Sequence, residues 1–241
     1  MTTPTAGPAS EAQTRAWRPN FSRAEIGFLT AVPLVWAVVL LFHGAPDGGD
    51  VYGSLRDEAS RYLTVHLVSL VFLGLMGAAL YLLLRDLPGR AAQISRLAIG
   101  PFVVFYVAGD AIAGVATGAL VEHANDLPAS QRAGTADAVQ ALWDDFVTGD
   151  LLLGLGAASW IVAALAAAVA YARAGAPMAV TVLLGLSALV FWHTPPIGPV
   201  GLLCFAAAVV LVARRWPAGA PVRRVTLARE PVPPSPSPPD L

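Results

Sequence analysis

The stretch that decides the fold is YLTVHLVSLVFLGLMGAALYLLL, residues 62–84, which lies between Arg61 and Arg85. It contains no acidic residue and no Arg or Lys, and His66 is its one side chain that titrates near neutral pH. A transmembrane α-helix needs about 20 predominantly apolar residues. The stretch is therefore predicted to cross a membrane as one helix.

The same pattern recurs along the chain. Hydrophobic residues make up 56% of the sequence and charged residues 13%, against about 25% charged residues in soluble domains. The predicted spans are residues 24–43, 62–84, 97–120, 151–172, 177–193 and 198–213. We therefore expect an all-α polytopic membrane protein with six transmembrane helices. The last two spans are short, and a pair of re-entrant half-helices is the alternative.

The distribution of arginine predicts the orientation. All 15 basic residues are Arg, and an intracellular N-terminus leaves three of them outside: Arg56, Arg61 and Arg132. The other twelve then face the cytoplasm: Arg15, Arg18, Arg23, Arg85, Arg90, Arg96, Arg173, Arg214, Arg215, Arg223, Arg224 and Arg229. Cytoplasmic segments carry the excess of positive charge. Both termini are therefore predicted to be cytoplasmic, and a composition typical of a GC-rich genome suggests a bacterial plasma membrane.

Three regions follow from this topology. Residues 1–23 form a cytoplasmic N-terminal segment, 24–213 form the transmembrane domain, and 214–241 form a Pro-rich cytoplasmic tail predicted to be disordered. The outer loop, residues 121–149, separates spans three and four. Its apolar residues recur at helical spacing, which predicts an amphipathic outer helix over 128–146. We expect this helix to be an interfacial anchor, and a lid over the bundle is the alternative.

Several function classes are excluded by missing residues or motifs. A chain without Lys cannot form a Schiff base with retinal, and the single Cys204 cannot form a disulfide within the chain. No basic stripe interleaved with aromatic residues occurs, so nucleic acid is not an expected partner. The sequence also lacks GxSxG, P-loop, HExxH and CxxCH motifs. Enzymatic activity is therefore not the favoured expectation.

Asp110 is the one acidic residue well inside an apolar run. A charge at the centre of a bilayer costs about 2.5–3.5 kcal/mol on insertion scales, so it is rarely accidental. Helical spacing puts Tyr106, Gly114 and Thr117 on the same face. One interpretation is structural: the glycines of this span allow close helix packing, and Asp110 forms a hydrogen bond to a neighbouring helix. The other is functional: Asp110 is a carboxylate that takes up protons or coordinates an ion.

The second span has a comparable polar stripe, because Tyr62, His66 and Ser69 are spaced i, i+4, i+7. Tyr62 lies at the outer end, where an aromatic residue needs no further role. The intramembrane polar candidates are thus Asp110, His66, Tyr106, Thr117 and Ser69.

The four histidines all fall at or near the outer face. His43 closes the first span, His66 lies about one turn inside the second, His193 closes the fifth, and His123 lies in the outer loop. Imidazoles that converge with Asp110 would suit Zn²⁺ or another divalent ion, and two facing histidines could instead bind a haem axially. The metal-ligand candidates are His43, His66, His193 and Asp110. The alternative to a metal or haem site is that these histidines lie at the ends of spans only because that zone of the membrane is hydrated.

Three segments together resemble a known group of proteins: His66 in its span, FYVAGDAIAG at residues 105–114, and HTPPIGPVGLLCF at residues 193–205. They resemble uncharacterised multi-span membrane proteins common in high-GC Gram-positive bacteria. The resemblance covers residues 28–213. It implies a multi-span membrane fold and brings no activity with it.

The sequence favours a structural or accessory membrane protein whose partners are the lipid bilayer and a membrane protein or a second copy of itself. Two other classes stay open. One is a small proton- or ion-coupled transporter that uses Asp110 and His66. The other is a membrane metalloprotein or haem protein with a His/Asp site near the outer face, acting on an ion or small molecule.

Overall fold

The chain folds as an all-α bundle. The structure is a computed structural model and describes residues 20–215. Helices account for most of these residues, and no strand occurs among them. The N-terminal segment 1–23 and the Pro-rich tail 214–241 lie almost wholly outside the described residues.

The helices found within residues 20–215 are α1 (Arg23–Leu40), α2 (Val51–Leu55), α3 (Ala59–Leu84), α4 (Arg90–Asp110), α5 (Thr117–Asn125), α6 (Ala129–Trp143), α7 (Gly154–Arg173), α8 (Met178–Leu186) and α9 (Ile197–Arg215). A π-helical segment, Ala111–Ala116, joins α4 to α5, and a second one, Val147–Leu153, leads into α7. A 3₁₀ segment, Ser187–Phe191, extends α8.

The helical stretches agree with a polytopic membrane architecture. Within the described part of the chain, five stretches are long and apolar enough to cross a bilayer: Arg23–Leu40, Ala59–Leu84, Arg90–Asn125, Ala129–Arg173 and Ile197–Arg214. The fifth predicted span, 177–193, corresponds to a shorter apolar helix, Met178–Phe191. Large apolar side chains such as Leu97 and Val104 stand exposed on the outside of the bundle. A surface of this kind suits lipid as the surrounding solvent.

The six principal helices pack in a ring. Going round it, α3 packs on α4, α4 on α7, α7 on α8, α8 on α9, α9 on α1, and α1 on α3. The interior is filled by large side chains that are almost fully buried, among them Trp36, Phe102, Trp160 and Phe205. This order brings α1 and α3 next to each other and places the start of α9 beside α1.

Polar groups inside the ring find partners on neighbouring helices. The Trp160 Nε1–H donates to the Ser187 carbonyl at 2.9 Å, and the Ser95 hydroxyl donates to the Ala163 carbonyl at 2.6 Å. A buried polar group without a partner is destabilising, so such bonds are the rule in a protein interior.

One end of the ring is covered by short helices. Helix α6 occupies the predicted position of the outer helix and buries Val139 completely among Val51, Leu55 and Val121 of α2 and α5. Tyr62, at the start of α3, belongs to the same apolar cluster. We call this end of the bundle, covered by α2 and α6, the capped end.

Glycines allow the helices to approach closely, as the sequence predicts for the third span. A Cβ atom on Gly118 would lie 3.1 Å from the Cα of Leu63 on α3. The contact between α4 and α7 is tighter, because a Cβ atom on Gly156 would lie 2.7 Å from the backbone nitrogen of Tyr106. The α4–α7 contact therefore requires glycine at position 156.

We predict that Gly156→Ala destabilises the bundle by about 1–3 kcal/mol, because the added methyl group forces the α4 backbone away. Gly154→Ala is the matched control, since a Cβ atom there meets nothing within 4 Å. Removing a glycine from a helix at an open position stabilises it by about 0.5–1 kcal/mol. Reversible unfolding in detergent micelles measures both changes, and equal effects of the two substitutions would contradict the packing described.

Candidate metal centre

The four predicted metal-ligand candidates meet in one place near the capped end. His43 follows α1, His66 lies in α3, Asp110 ends α4, and His193 lies in the turn before α9. Three of these residues are buried, with exposed fractions of 8% for His43, 2% for His66 and 2% for Asp110. The His193 side chain is 16% exposed. Four separate segments of the chain thus contribute to one buried polar cluster, which we call the His₃Asp cluster.

The three imidazole rings pack edge to face. The ring centroid of His43 lies 4.6 Å from that of His66 and 4.7 Å from that of His193. The centroids of His66 and His193 are 5.7 Å apart. One nitrogen from each ring can be chosen so that all three lie within 4.8 Å of one another. Three potential donor atoms therefore surround one small volume.

Asp110 fixes the orientation of the His66 ring through a hydrogen bond. The Nδ1–H of His66 donates to Asp110 Oδ1 at 2.9 Å, which leaves His66 Nε2 with its lone pair. The helix becomes π-helical directly after Asp110, a distortion that is frequent at functional sites. In that π-helical segment Gly114 lies against the His66 ring, and a Cβ atom there would collide with it. The glycine is what lets the ring reach the carboxylate.

Tyr106 orients His193. Its hydroxyl donates to the Phe191 carbonyl at 2.5 Å and lies 2.8 Å from His193 Nδ1. A hydroxyl has one hydrogen to donate, so it must accept from His193, and we assign the hydrogen of that ring to Nδ1. The lone pair of His193 is then on Nε2, which lies 3.7 Å from Asp110 Oδ1 and faces the cluster.

The cluster contains buried polar atoms that lack hydrogen-bond partners. Among residues 20–215, five such atoms belong to these four side chains: both ring nitrogens of His43, Nε2 of His66, Nε2 of His193 and Oδ2 of Asp110. The backbone of Gly44 adjoins the His43 ring without satisfying hydrogen-bond geometry. The other such atoms among the described residues are Thr30 Oγ1 on α1 and Arg132 Nε on α6. The His₃Asp cluster is therefore arranged for something other than internal hydrogen bonding.

Tyr62 forms a wall of the cluster, a position that the sequence did not reveal. Its ring centroid lies 4.3 Å from that of His66 and 5.8 Å from that of His43. Its hydroxyl donates to the Ala113 carbonyl at 3.1 Å, in the π-helical segment. The i, i+4 spacing to His66 was the available signal, but an aromatic residue at a span end is equally typical of the membrane interface.

The remaining polar candidates lie outside the cluster. Ser69 accepts a hydrogen bond from Trp36 Nε1 at 3.0 Å, and the Thr117 hydroxyl donates to the Ile112 carbonyl at 3.4 Å. Both side chains therefore serve the packing of the bundle. His123 is exposed in the last turn of α5. It takes no part in the convergence of the other three histidines.

No family model, no curated protein and no solved structure matches this chain. The resemblance to multi-span proteins of high-GC Gram-positive bacteria therefore stays a prediction.

We predict that Tyr106→Phe releases His193 from its single tautomer. The phenyl ring keeps its packing but offers no oxygen to the Nδ1–H, so the hydrogen can move to Nε2. The ¹⁵N chemical shifts of histidine-labelled protein in detergent report this as a second population of His193. Tyr62→Phe is the control, because the Tyr62 hydroxyl bonds to Ala113 and not to an imidazole. An unchanged His193 spectrum in Tyr106→Phe would contradict the assignment.

Proposed function

We propose that this chain is an integral membrane metalloprotein. His43, His66 and His193 bind one first-row divalent metal ion at the capped end of the bundle, and Asp110 and Tyr106 orient two of the ligands. The observation that carries the proposal is the group of five buried, unpartnered polar atoms on these four side chains, counted over residues 20–215.

Energy supports an ion in this position. A buried polar group without a partner costs about 1–3 kcal/mol. Five such groups in one place approach the whole folding stability of an ordinary domain, about 5–15 kcal/mol. In a protein interior that binds no ligand, such positions usually carry apolar side chains or polar groups that pair with each other. A bound cation satisfies three of the five, one nitrogen lone pair from each imidazole, which explains why these nitrogens share one small volume.

The ligand types favour a transition metal. Imidazole suits Zn²⁺, Cu²⁺, Fe²⁺ and Ni²⁺, whereas Mg²⁺ and Ca²⁺ prefer oxygen ligands. With Zn–N bonds of about 2.0–2.1 Å, tetrahedral ligand nitrogens lie roughly 3.4 Å apart, so binding would draw the three rings together by an ångström or so. A metal-bound imidazole usually donates its other ring N–H to a carboxylate or carbonyl group, as His66 Nδ1–H does to Asp110.

Three protein ligands leave one position of a tetrahedral ion open. Sites that keep an open position are typical of reactive metal centres, whereas structural sites are closed by four protein ligands. The packing favours a single ion over haem, because the rings of His43, His66 and His193 lie in direct contact and leave no width for a porphyrin between them. A reactive centre is therefore the form of metalloprotein that we propose.

Proton-coupled transport is the second candidate. It draws support from the hydrogen bond between His66 and Asp110, which is buried between α3 and α4. A proton shared by such a pair could be passed on during transport. That function uses one imidazole, however, and does not account for the orientation of His43 and His193 toward the same point.

We predict that the protein, purified in detergent with an affinity tag that contains no histidine, carries about one zinc or other first-row ion per chain. His43→Leu should abolish binding, since it removes one ligand. This substitution breaks no hydrogen bond, because the ring of His43 makes none within the described residues. Elemental analysis by mass spectrometry and the thermal midpoint with and without a chelator measure the outcome.

His123→Gln is the matched control and should keep the metal, because His123 is exposed and is not among the three histidines that converge. Asp110→Asn should weaken metal affinity about 10- to 100-fold, the usual effect of changing the group behind a ligand. A metal-free wild-type protein, or a His43→Leu variant that keeps the wild-type metal content, would contradict the proposal.

We further propose the finer topology: six spans, both termini in the cytoplasm of a bacterial cell, and the capped end outside. The ring of six helices and the distribution of Arg support it. In a Cys204→Ser background, Ala133→Cys on α6 should react with an impermeant maleimide in intact spheroplasts. Gln93→Cys on α4 should react only after permeabilisation, and the opposite pattern would reverse the orientation.

A further inference from the structure

An ion held by the three imidazoles would leave one buried acceptor of the His₃Asp cluster without a partner. Of the five unpartnered atoms, the ion satisfies one nitrogen on each ring. The second nitrogen of His43 remains, on a ring that adjoins the backbone of Gly44, and so does Oδ2 of Asp110. The oxygens of an ionised carboxylate accept hydrogen bonds only. Asp110 Oδ2 therefore requires a donor, and residues 20–215 supply none.

Asp110 borders the volume that the three rings enclose. Its Oδ1 accepts from His66 Nδ1 at 2.9 Å and lies 3.7 Å from His193 Nε2, the nitrogen that carries the lone pair. Ligand atoms of one tetrahedral zinc ion lie roughly 3.4 Å apart. Among residues 20–215, however, the close group of donor atoms consists of the three imidazoles and includes no carboxylate oxygen. The carboxylate of Asp110 thus lies beside the open position and does not fill it.

Packed aromatic rings limit the size of a ligand at the open position. The ring centroid of Tyr62 lies 4.3 Å from that of His66 and 5.8 Å from that of His43. The ring centroid of Tyr106 lies 5.7 Å from that of His193. These are the separations of aromatic rings in contact. A ligand that contains a ring has no room between them, whereas a ligand of one or two heavy atoms needs far less space.

Solvent comes closest to the cluster at His193. The side chain of His193 is 16% exposed, against 3% for His66 and 2% for Asp110. His193 lies in the turn before α9, near the capped end. A small molecule from the aqueous phase therefore has its shortest approach to the ion along this side chain.

We propose that a water molecule occupies the open position of the ion and donates a hydrogen bond to Asp110 Oδ2. A buried water needs about two to four polar partners, and the ion and Oδ2 supply two. The inference rests on the proposed function and names the class of ligand for its open position. That class is an uncharged molecule of one or two heavy atoms with a hydrogen on the ligating atom. An anion is disfavoured, because like charges brought together in a buried site repel strongly.

The first test identifies the ligand by isotope labelling. The full-length protein, purified in detergent with an affinity tag that contains no histidine, is loaded with Co²⁺ as the probe. The electron paramagnetic resonance signal of Co²⁺ should broaden in H₂¹⁷O, because an oxygen ligand has exchanged with solvent. An unchanged signal in protein that has bound Co²⁺ would overturn the inference.

Azide tests the preference against anions. Asp110→Asn removes the negative charge and offers an N–H donor, so the Co²⁺ centre should bind azide at least tenfold more tightly than in the wild type. Titration followed by visible absorption, with enough Co²⁺ to saturate each variant, measures both affinities. Asp57→Asn is the matched control, because it removes the same charge from a side chain that is 85% exposed. It should leave the affinity unchanged, and equal azide affinities in the wild type and Asp110→Asn would overturn the inference.

Imidazole tests the size limit. It should leave the Co²⁺ spectrum of the wild type unchanged, whereas His43→Gly, which lacks one ring, should take up imidazole in the vacated space. Imidazole binding to the wild-type centre as a fourth nitrogen ligand would overturn the inference. A protein that binds no Co²⁺ would contradict the proposed function itself, so the two failures are distinguishable.

Discussion

The hydrogen bond between His66 and Asp110 joins two helices at a point where an apolar bundle would otherwise enclose an isolated carboxylate. At 2.9 Å it gives Asp110 one partner and fixes which nitrogen of His66 carries the hydrogen. An unpaired charge in such surroundings would be strongly destabilising. The bond requires the imidazole of His66 to lie directly against the helix that carries Asp110. Gly114 provides the space for it.

The other parts of the cluster follow from the way the ring of helices closes. Helix α1 lies between α3 and α9, so the residue just beyond its end, His43, meets both His66 and the turn before α9. His193 lies in that turn, and its Nδ1–H donates a hydrogen bond to the hydroxyl of Tyr106 on α4. Each imidazole is thus brought in by a different helix, and two of them are held by a second side chain. Orientation of this kind is what a metal centre requires.

The long apolar helices could be predicted from the sequence because the length of an apolar run is a local property. The outer helix was predicted over 128–146 and is found at Ala129–Trp143, where Val139 from the predicted apolar stripe is buried. The common level of His43, His66 and His193 along the bundle could also be predicted by counting residues. Six spans were predicted, and Met178–Phe191 proves shorter than the length that crosses a bilayer without adjustment.

The convergence of His43, His66 and His193 could not be predicted, because a sequence does not reveal the order of helices around a ring. Helical spacing grouped Ser69 with His66 and Thr117 with Asp110, yet Ser69 bonds to Trp36 and Thr117 to its own helix. The π-helical segment after Asp110 has no clear sequence signal and changes the spacing beyond that residue.

X-ray absorption at the metal edge of the purified protein identifies the ligands of a bound ion directly. A site formed by His43, His66 and His193 should show three imidazole nitrogens at about 2.0–2.1 Å, as in a zinc site. An edge without histidine scattering would rule out this site.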